Sequence, residues 1–382
     1  MNLALPLPRA RYGLDGTLVA IAVVLLALGL VMVASASVAQ AEKIAGEPFY
    51  YFYRQLVFVL MGLGAGALVF CVPMKQWENS GMWLLLFALF LLSLVLVPGL
   101  GIKVNSARRW LDLGLFRLQA SEPARLALIV YLAGHISRRQ LDLQNNLKGM
   151  LRPLALMMIP AMLLLAEPDF GATAILLAVA LLMLFLGGAR LFPFGCVCAL
   201  AMMALAAIAA SESYRMARMK IFINPWADVE HGGWQLAQSL IAVGRGEWTG
   251  VGLGNSVQKL LYLPEMHTDF IFAIFAEEFG LTGIALLMLL FGLLVWRGFN
   301  IGCRAERLER RFQAYLCYGL AGWLGLQALI SMAVNLGMVP TKGLTLPLMS
   351  YGGSSLMTVC VMLALMLRVD YENRADSFGA TP

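Results

Sequence analysis

Apolar runs long enough to cross a membrane recur along this chain and constrain its fold more than any other feature. Ten such runs, separated by polar segments, lie between residues 18 and 367. A helix needs about 20 mostly apolar residues to cross the hydrocarbon core. Only 13% of the residues are charged, whereas a soluble domain carries about 25%. The sequence therefore predicts an all-α polytopic membrane protein with about ten transmembrane helices.

The distribution of basic residues predicts the orientation of the bundle. An even number of spans places both termini on one side, and that side carries 15 of the 28 Lys and Arg residues. Cytoplasmic segments carry the excess of Lys and Arg, so both termini are predicted to be cytoplasmic. The other side keeps basic residues in 103–125 and 215–259, which indicates an anionic ligand. No basic cluster stands clear of the apolar runs, which excludes nucleic-acid binding.

The predicted organisation is one transmembrane domain over residues 1–382. Within it, residues 1–16 form a cytoplasmic tail, residues 211–266 a long periplasmic loop between helices 7 and 8, and residues 369–382 a second cytoplasmic tail. The loop is too short and too rich in glycine to build its own core. We expect it to pack across the outer mouth of the bundle, where glycine lets the backbone approach another surface closely.

Glu122 and Arg125 lie three residues apart where a helix is predicted to enter the membrane. At this spacing they share a helix face and can pair, and an unpaired charge in lipid is costly. Two interpretations stay open, a structural ion pair and a pair that lines a cavity.

Basic residues on the predicted outer side are candidate ligands of phosphate. Arg215 and Arg218 share one face if they are helical, and guanidinium groups match phosphate oxygens. Anchoring to anionic lipid headgroups is the alternative. The full candidate set for substrate and pyrophosphate binding is Arg108, Arg109, Arg215, Arg218, Lys259, Lys342 and Ser350.

Asp269 is the main catalytic candidate, because it places a carboxylate at the start of an apolar helix. Thr268 or Asp269 could instead cap that helix. A helix N-terminus favours the anion, so a functional Asp269 is predicted to be ionised and able to accept a proton from a hydroxyl. The neighbouring His267 is the other candidate base, and its ring could equally be an interfacial hydrogen-bonding group.

Two segments carry a resemblance to a known family: Tyr-Leu-Pro-Glu-Met-His-Thr-Asp-Phe at 262–270 and Ser-Tyr-Gly-Gly-Ser-Ser at 350–355. They are similar to those of the SEDS family (shape, elongation, division and sporulation), and the resemblance extends over residues 31–368. Within the family, Pro-Thr-Lys-Gly-Leu-Thr-Leu-Pro at 340–347 and Glu-Pro-Asp-Phe-Gly at 167–171 resemble the cell-division member. The resemblance implies ten spans, cytoplasmic termini and an external loop.

The resemblance also implies an activity, namely a peptidoglycan glycosyltransferase that polymerises lipid II at the division septum of the bacterial inner membrane. The family's catalytic aspartate falls on Asp269. Its paired acid and base in the central cavity fall on Glu122 and Arg125, where the family usually has Lys. In the implied inverting transfer, Asp269 takes the acceptor's proton and undecaprenyl pyrophosphate leaves. Mg²⁺ or another divalent cation is the candidate cofactor, and the identity of any metal stays open.

The implied partners are a class B penicillin-binding protein, which supplies the septal transpeptidase, and other membrane proteins of the division complex. Two further functions stay open, a lipid II flippase and a non-enzymatic division scaffold. A flippase is expected to carry functional polar groups near the bilayer midplane. Glu277 and Glu278, two turns beyond Asp269, are the residues that most favour transport.

Overall fold

The computed structural model is a helical bundle that describes residues 13–104, 107–112, 114, 116–210, 216, 219, 221–228 and 232–377. Within this part, six helices are long and apolar enough to cross a membrane, and three shorter apolar helices accompany them. A further helix, Ser121–Arg138, carries charged residues near both ends. Together these helices confirm the predicted all-α, multi-pass architecture of about ten spans.

The helices are numbered in chain order. They are α1 Gly16–Ala45, α2 Tyr50–Cys71, α3 Met74–Asn79, α4 Gly81–Leu96, α5 Ser121–Arg138, α6 Gln140–Asn145, α7 Leu147–Ala166, α8 Phe170–Leu186, α9 Leu191–Ala210, α10 Trp234–Gly246, α11 Ile271–Arg307, α12 Arg311–Asn335 and α13 Gly353–Ser377. A 3₁₀ turn at Pro225–Asp228 precedes α10. The α5 helix includes Pro123 in its first turn, where the N–H that proline lacks has no helical partner anyway.

The centre of the bundle is formed by α12 and α13. Of the residues in the 18-residue apolar stretch of each helix, 78% are buried inside the protein, compared with 28% in α2 and α11. The outer helices instead expose large apolar side chains, such as Leu68, Trp83 and Met162. Extensive exposed apolar surface of this kind is typical of contact with lipid.

The bundle has two polar ends, which we name by the residues that they carry. The Asp269 end contains Asp269 and the starts of α5, α8, α11 and α13. The terminal end contains Asp15, directly before α1, and Arg374, in the last turns of α13. At 1.5 Å per residue, a helix the length of α5 spans roughly 26 Å. Ser121 therefore lies at the Asp269 end and Arg138 at the terminal end.

A three-stranded antiparallel sheet lies at the Asp269 end and was not predicted from the sequence. Its strands are β1 Gly101–Val104, β2 Ala107–Asp112 and β3 Arg117–Gln119, in that order across the sheet. The N–H of Gln119 donates to the Ser354 hydroxyl at 2.9 Å, and that hydroxyl donates to the Arg117 carbonyl at 3.2 Å. These bonds attach the sheet to the start of α13.

The α11 helix is broken at Gly280, where φ is 64° and ψ is −164°. Backbone groups of the segment after α10 replace the helical hydrogen bonds that are lost. The N–H of Val251 donates to the Glu277 carbonyl at 3.0 Å, and the N–H of Leu281 donates to the Glu247 carbonyl at 2.9 Å. The break is therefore filled by another part of the chain rather than left open to lipid.

Close backbone contact at this break explains the glycines of the long loop. A Cβ on Gly250 would lie 2.2 Å from the Glu278 carbonyl oxygen, and a Cβ on Gly246 would lie 2.1 Å from the Ala276 carbonyl oxygen. Only glycine fits at such distances. The predicted close approach of this backbone to another surface is therefore confirmed, and the surface is α11.

At the terminal end, two buried carboxylates join neighbouring helices. Asp15 caps α1 by accepting from the Leu18 N–H at 3.0 Å, and it pairs with Arg297 at 2.6 Å and Arg374 at 3.6 Å. Burial raises the pKa of Asp15, but the hydrogen bonds from Arg297 and Leu18 outweigh it and hold that pKa below its usual value. The start of α1 is thereby tied to α11 and α13.

Glu372 makes a second junction at the same end. One of its oxygens accepts from Arg368 at 2.9 Å and from the backbone N–H of Met74 at 3.0 Å, and the other accepts from Gln313 at 2.8 Å. These contacts join α13 to α3 and α12. Charge at the terminal end therefore serves to hold helices together.

Candidate functional site

Two motif segments support each other's backbone at the Asp269 end. The Ser350 hydroxyl donates to the Thr268 carbonyl at 2.6 Å and accepts from the Leu346 N–H at 2.8 Å. The N–H of Tyr351 donates to the His267 carbonyl at 2.9 Å. The segment before α11 is therefore fixed by the segment before α13. Ser350, which was predicted to bind substrate, is placed as a buried support of this backbone.

The cap of α11 comes from a different helix. Asn335, fully buried at the end of α12, accepts from the Ala273 N–H through Oδ1 at 3.1 Å and donates through Nδ2 to the Asp269 carbonyl at 3.0 Å. No side chain next to α11 in sequence caps it, so the capping alternative for Thr268 and Asp269 is wrong. Because Asn335 does this work, the Asp269 carboxylate is available for another role.

The environment of Asp269 shifts the pKa of its carboxyl group toward neutral pH. Burial raises the pKa of Asp269 to about 7, with Glu265 raising it further and Arg109 opposing both. Burial therefore outweighs the helix N-terminus, on which the prediction of a fully ionised carboxylate rested. A general base is most effective when its pKa lies near the working pH. Gly343 lies directly against this carboxylate, since a Cβ there would be 3.0 Å from Oδ2.

His267 is packed among aromatic rings. Its ring centroid lies 4.4 Å from that of Tyr51 and 5.5 Å from that of Tyr351. Its Nδ1 is buried and has no hydrogen-bond partner in the described part of the chain. Burial lowers the pKa of His267, so the ring is neutral at pH 7. This placement supports a packing role rather than either of the two roles expected for it.

Arg109 extends from β2 to the connection between α7 and α8. It donates to the Glu167 carbonyl at 3.4 Å and also to the Pro168 carbonyl. The same connection is held by Asp169, which caps α8 by accepting from the Ala172 N–H at 3.1 Å. The sheet and this connection are therefore fixed together, and the positive charge of Arg109 acts on Asp269.

Glu167 lies in the connection between two apolar helices, and its side chain is fully buried. Neither carboxylate oxygen has a hydrogen-bond partner in the described part of the chain. Burial, with the negative charge of Asp169, raises the pKa of Glu167 to about 8, and Arg109 opposes this shift. The Asp269 end thus contains a second carboxyl group that holds its proton near neutral pH.

The predicted pairing of Glu122 with Arg125 is present, and both side chains are buried. The guanidinium carbon lies 4.6 Å from the ring centroid of Trp323. Trp323 Nε1 donates to Gln327 at 2.7 Å, and Gln327 donates to the Thr345 carbonyl at 3.0 Å. The ion pair is therefore connected through α12 to the 340–347 segment that contacts Asp269.

The predicted phosphate ligands lie in different places. Lys342 packs over Phe170, with Nζ 4.4 Å from the ring centroid, and burial lowers its pKa. Arg108 is exposed on β2. Arg215 and Arg218 lie outside the described residues. The structure therefore brings Arg109 and Lys342 to the Asp269 end and leaves Arg108 at its surface.

Lys259 differs from this set, because its charge is already neutralised. Its Nζ lies 2.9 Å from Glu278 and 2.9 Å from the Ser35 hydroxyl. Glu277 accepts from the backbone N–H groups of Val257 and Gln258 at 3.1 and 3.3 Å. Glu277 and Glu278 therefore anchor the long loop to α11. Because both carboxylates are engaged in this way, they no longer favour a transport function.

The geometry agrees with what comparison with known proteins shows. The profile of the FtsW, RodA and SpoVE family, described as cell cycle protein, matches residues 16–375. The chain belongs to this family. It is 52% identical to a probable peptidoglycan glycosyltransferase FtsW of Thioalkalivibrio sulfidiphilus, over 94% of this chain and 90% of the relative. It is 48% identical to the protein of the same description in Methylomonas methanica, over 97% and 96%.

Solved structures of the family share this fold. The rod shape determining protein RodA of Thermus thermophilus matches with a TM-score of 0.71 at 28% identity, over 96% of this chain and 99% of RodA. A chain from a peptidoglycan synthase complex that coordinates polymerization and crosslinking matches with a TM-score of 0.76 at 29% identity, over 94% and 98%. The resemblance inferred from the motifs at 262–270 and 350–355 is therefore confirmed.

Proposed function

We propose that this chain is a peptidoglycan glycosyltransferase that polymerises lipid II into glycan strands during septal wall synthesis. The observation that carries the proposal is Asp269, a carboxylate whose backbone is held by Asn335 and Ser350 while its side chain stays available. Relatives at about 50% identity described as peptidoglycan glycosyltransferases support the same activity.

In the proposed reaction Asp269 is the general base. It takes the proton of the acceptor's 4-hydroxyl as that oxygen attacks the anomeric carbon of the donor sugar. The bond from that carbon to the pyrophosphate oxygen breaks, and undecaprenyl pyrophosphate leaves with inversion. A pKa of about 7 for Asp269 suits this step, because the base is available near neutral pH and still has a useful proton affinity.

The leaving pyrophosphate needs positive charge around it. We assign this role first to Arg109 and Lys342, which lie at the Asp269 end, and then to Arg108, Arg215 and Arg218. Mg²⁺ is usually bound through one or two carboxylates together with substrate phosphates. The described residues contain no group of three or more metal-ligating side chains. A divalent cation would therefore be brought in with the pyrophosphate, and Glu167 would be its candidate protein ligand.

We further propose that both termini are cytoplasmic and that the Asp269 end faces the periplasm of the inner membrane at the septum. The bias of Lys and Arg toward the terminal side supports this orientation. The proposed partner is a class B penicillin-binding protein, with other membrane proteins of the division complex around it. A structural neighbour that belongs to a complex for polymerization and crosslinking supports that pairing.

Polymerisation by the purified chain tests this function against its rivals. Labelled lipid II is incubated with the chain, with and without its transpeptidase partner, and glycan length is resolved on gels. Polymer from the purified proteins supports the proposal. Transfer of lipid II across liposome membranes without polymer would indicate a flippase, and neither product would indicate a scaffold. The matched control is Asp269→Asn, which should remove polymer only.

A further inference from the structure

A basic pocket lies at the terminal end, far from Asp269. It is a cavity of about 480 Å³ between α4, α5 and α7, within the size range of ligand sites. Its polar lining consists of Tyr131, His135, Arg138, Arg139 and Arg152, and its apolar lining of Met82, Ala155 and Leu156. None of these residues takes part in the site described above.

The charge of this pocket is not balanced by the protein. No carboxylate in the described part of the chain forms an ion pair with Arg138, Arg139 or Arg152, and these three are the charged groups that act on His135. The Nε2 atom of His135 is buried and has no hydrogen-bond partner among the described residues. Three guanidinium groups and an unused imidazole nitrogen around one cavity match the oxygens of a phosphate group.

A separate apolar groove lies further along α7. Met158, Ile159, Met162 and Leu163 line it. Ile159 and Leu163 lie on the same side of the helix as Arg152 and Leu156. From Arg152 to Leu163 the helix rises roughly 16 Å. This length is about half of the ~30 Å hydrocarbon core, which is the depth of one leaflet.

We propose that this pocket binds the phosphate headgroup of an anionic phospholipid, with one acyl chain lying in the groove along α7. The ligand's two chemical parts match the two parts of the surface, since a phosphodiester meets Arg138, Arg139 and Arg152 while a hydrocarbon chain meets Ile159 and Leu163. Basic pockets between transmembrane helices are known to select anionic headgroups. The inference rests on described contacts and does not depend on the proposed activity.

The first experiment compares headgroups by native mass spectrometry of the purified full chain. Phosphatidylglycerol and phosphatidylethanolamine are titrated against the wild type and against the triple variant Arg138→Gln, Arg139→Gln, Arg152→Gln. The control variant Lys75→Gln, Arg307→Gln, Arg311→Gln removes the same charge from exposed positions of the same end. The wild type should prefer phosphatidylglycerol at least about tenfold. The triple variant should lose this preference, and the control should keep it within about twofold.

If the control variant loses the preference for phosphatidylglycerol as much as the triple variant does, the lipid is attracted to surface charge in general and the proposal is overturned. A triple variant that keeps the preference would also overturn it. If the triple variant does not fold, the single variant Arg152→Gln takes its place, with binding expected to weaken about fivefold. Two folded single variants, Arg152→Gln and His135→Phe, that both bind phosphatidylglycerol as tightly as the wild type would also contradict the site.

A second experiment identifies the source of the phosphate. Ile159→Trp fills the groove without changing charge, so it should weaken phosphatidylglycerol binding, and millimolar inorganic phosphate should not displace the lipid. If inorganic phosphate displaces the lipid and Ile159→Trp leaves phosphatidylglycerol binding unchanged, the pocket is a site for free phosphate. Displacement by an equal concentration of undecaprenyl pyrophosphate would indicate a site for the substrate lipid. Either result would overturn the phospholipid assignment.

Discussion

Two buried or half-buried aspartates at opposite ends of the bundle show how the same side chain is used in opposite ways. Asp15 is engaged by Arg297, Arg374 and a backbone N–H, and its pKa is held below the usual value. Asp269 has its backbone held and its carboxylate left available, and its pKa is raised to about 7. The first arrangement stabilises the charged form, while the second keeps the group close to the point of proton exchange.

The difference follows from which acceptors the nearby hydrogen-bond donors contact. At the terminal end they are guanidinium groups and amides directed at carboxylate oxygens, as around Glu372. Around Asp269 itself they are directed at backbone carbonyls, as when Ser350 donates to Thr268 and Arg109 donates to Glu167. Donors that fix the backbone make a rigid site without neutralising its carboxylates. Preorganised groups of this kind are what catalysis requires.

The largest expected effect comes from Asp269→Asn. Loss of a general base costs about 10²–10⁴ in rate, so glycan synthesis from labelled lipid II should fall by that factor. Thermal stability should be kept, because burial already disfavours the charged carboxylate at this position. The control His267→Phe preserves the aromatic packing with Tyr51 and Tyr351 and should retain activity. Near-normal polymer from Asp269→Asn would remove Asp269 from its assigned role and turn attention to Glu167.

The same substitution at the other end should have the reverse outcome. Asp15→Asn keeps an N-cap for α1 but removes the ion pair with the largely buried Arg297. We expect a loss of about 2–3 kcal/mol in the free energy of unfolding, measured by thermal unfolding in detergent. Activity per folded molecule should be unchanged. Because the pKa of Asp15 is depressed, this contribution is present above its unfolded pKa and disappears as the pH falls through the folded pKa.

Asn335→Ala is expected to have an intermediate effect at the Asp269 end. It leaves the Ala273 N–H without its partner and releases the Asp269 carbonyl, at a cost of about 1–3 kcal/mol in stability. The rate should also fall about tenfold, since a small displacement of a catalytic group is costly. A purely structural role would lower the yield of folded protein but leave kcat unchanged. Single-turnover rates at matched amounts of folded protein separate the two cases.

The smallest effect concerns pH. Polymerisation should rise with pH through about 7, as Asp269 loses its proton. Glu265 raises that pKa, so Glu265→Gln should move the midpoint of the pH–rate profile to lower pH. Arg109 lowers it, so Arg109→Gln should move the midpoint to higher pH in addition to reducing the rate. Shifts in the same direction for both variants would show that the profile reports another group.

Much of the fold could be predicted from sequence, because span length and apolar composition are local properties. The three-stranded sheet was missed because its strands are short and lie between two strong helical signals. The available signal was the turn pair Asp112 and Gly114, in which the Gly114 N–H donates to Asp112 at 2.8 Å. The pairing of Glu122 with Arg125 was predictable for the same reason as the helices, since three residues on a helix fix their proximity.

The candidate site was harder to predict, because its key contacts join distant parts of the chain. Asn335 caps a helix that starts 64 residues earlier in sequence, and Lys259 meets Glu278 only because the long loop returns to α11. Burial also cannot be read locally, as Glu167 shows. A glutamate between two apolar runs looks like an exposed turn until the packing of β2 and α8 around it is known.

The break in α11 at Gly280 constrains how the chain can be made. In lipid, an amide group without a partner costs several kcal/mol, so the N–H of Leu281 cannot remain unpaired while the protein waits to fold. Its partner, the carbonyl of Glu247, is synthesised earlier. The break in α11 can therefore form only when residues 247–252 dock against it. A chain cut between residues 252 and 277 would separate the two halves of this joint, and the second half should be a poor substrate for membrane insertion.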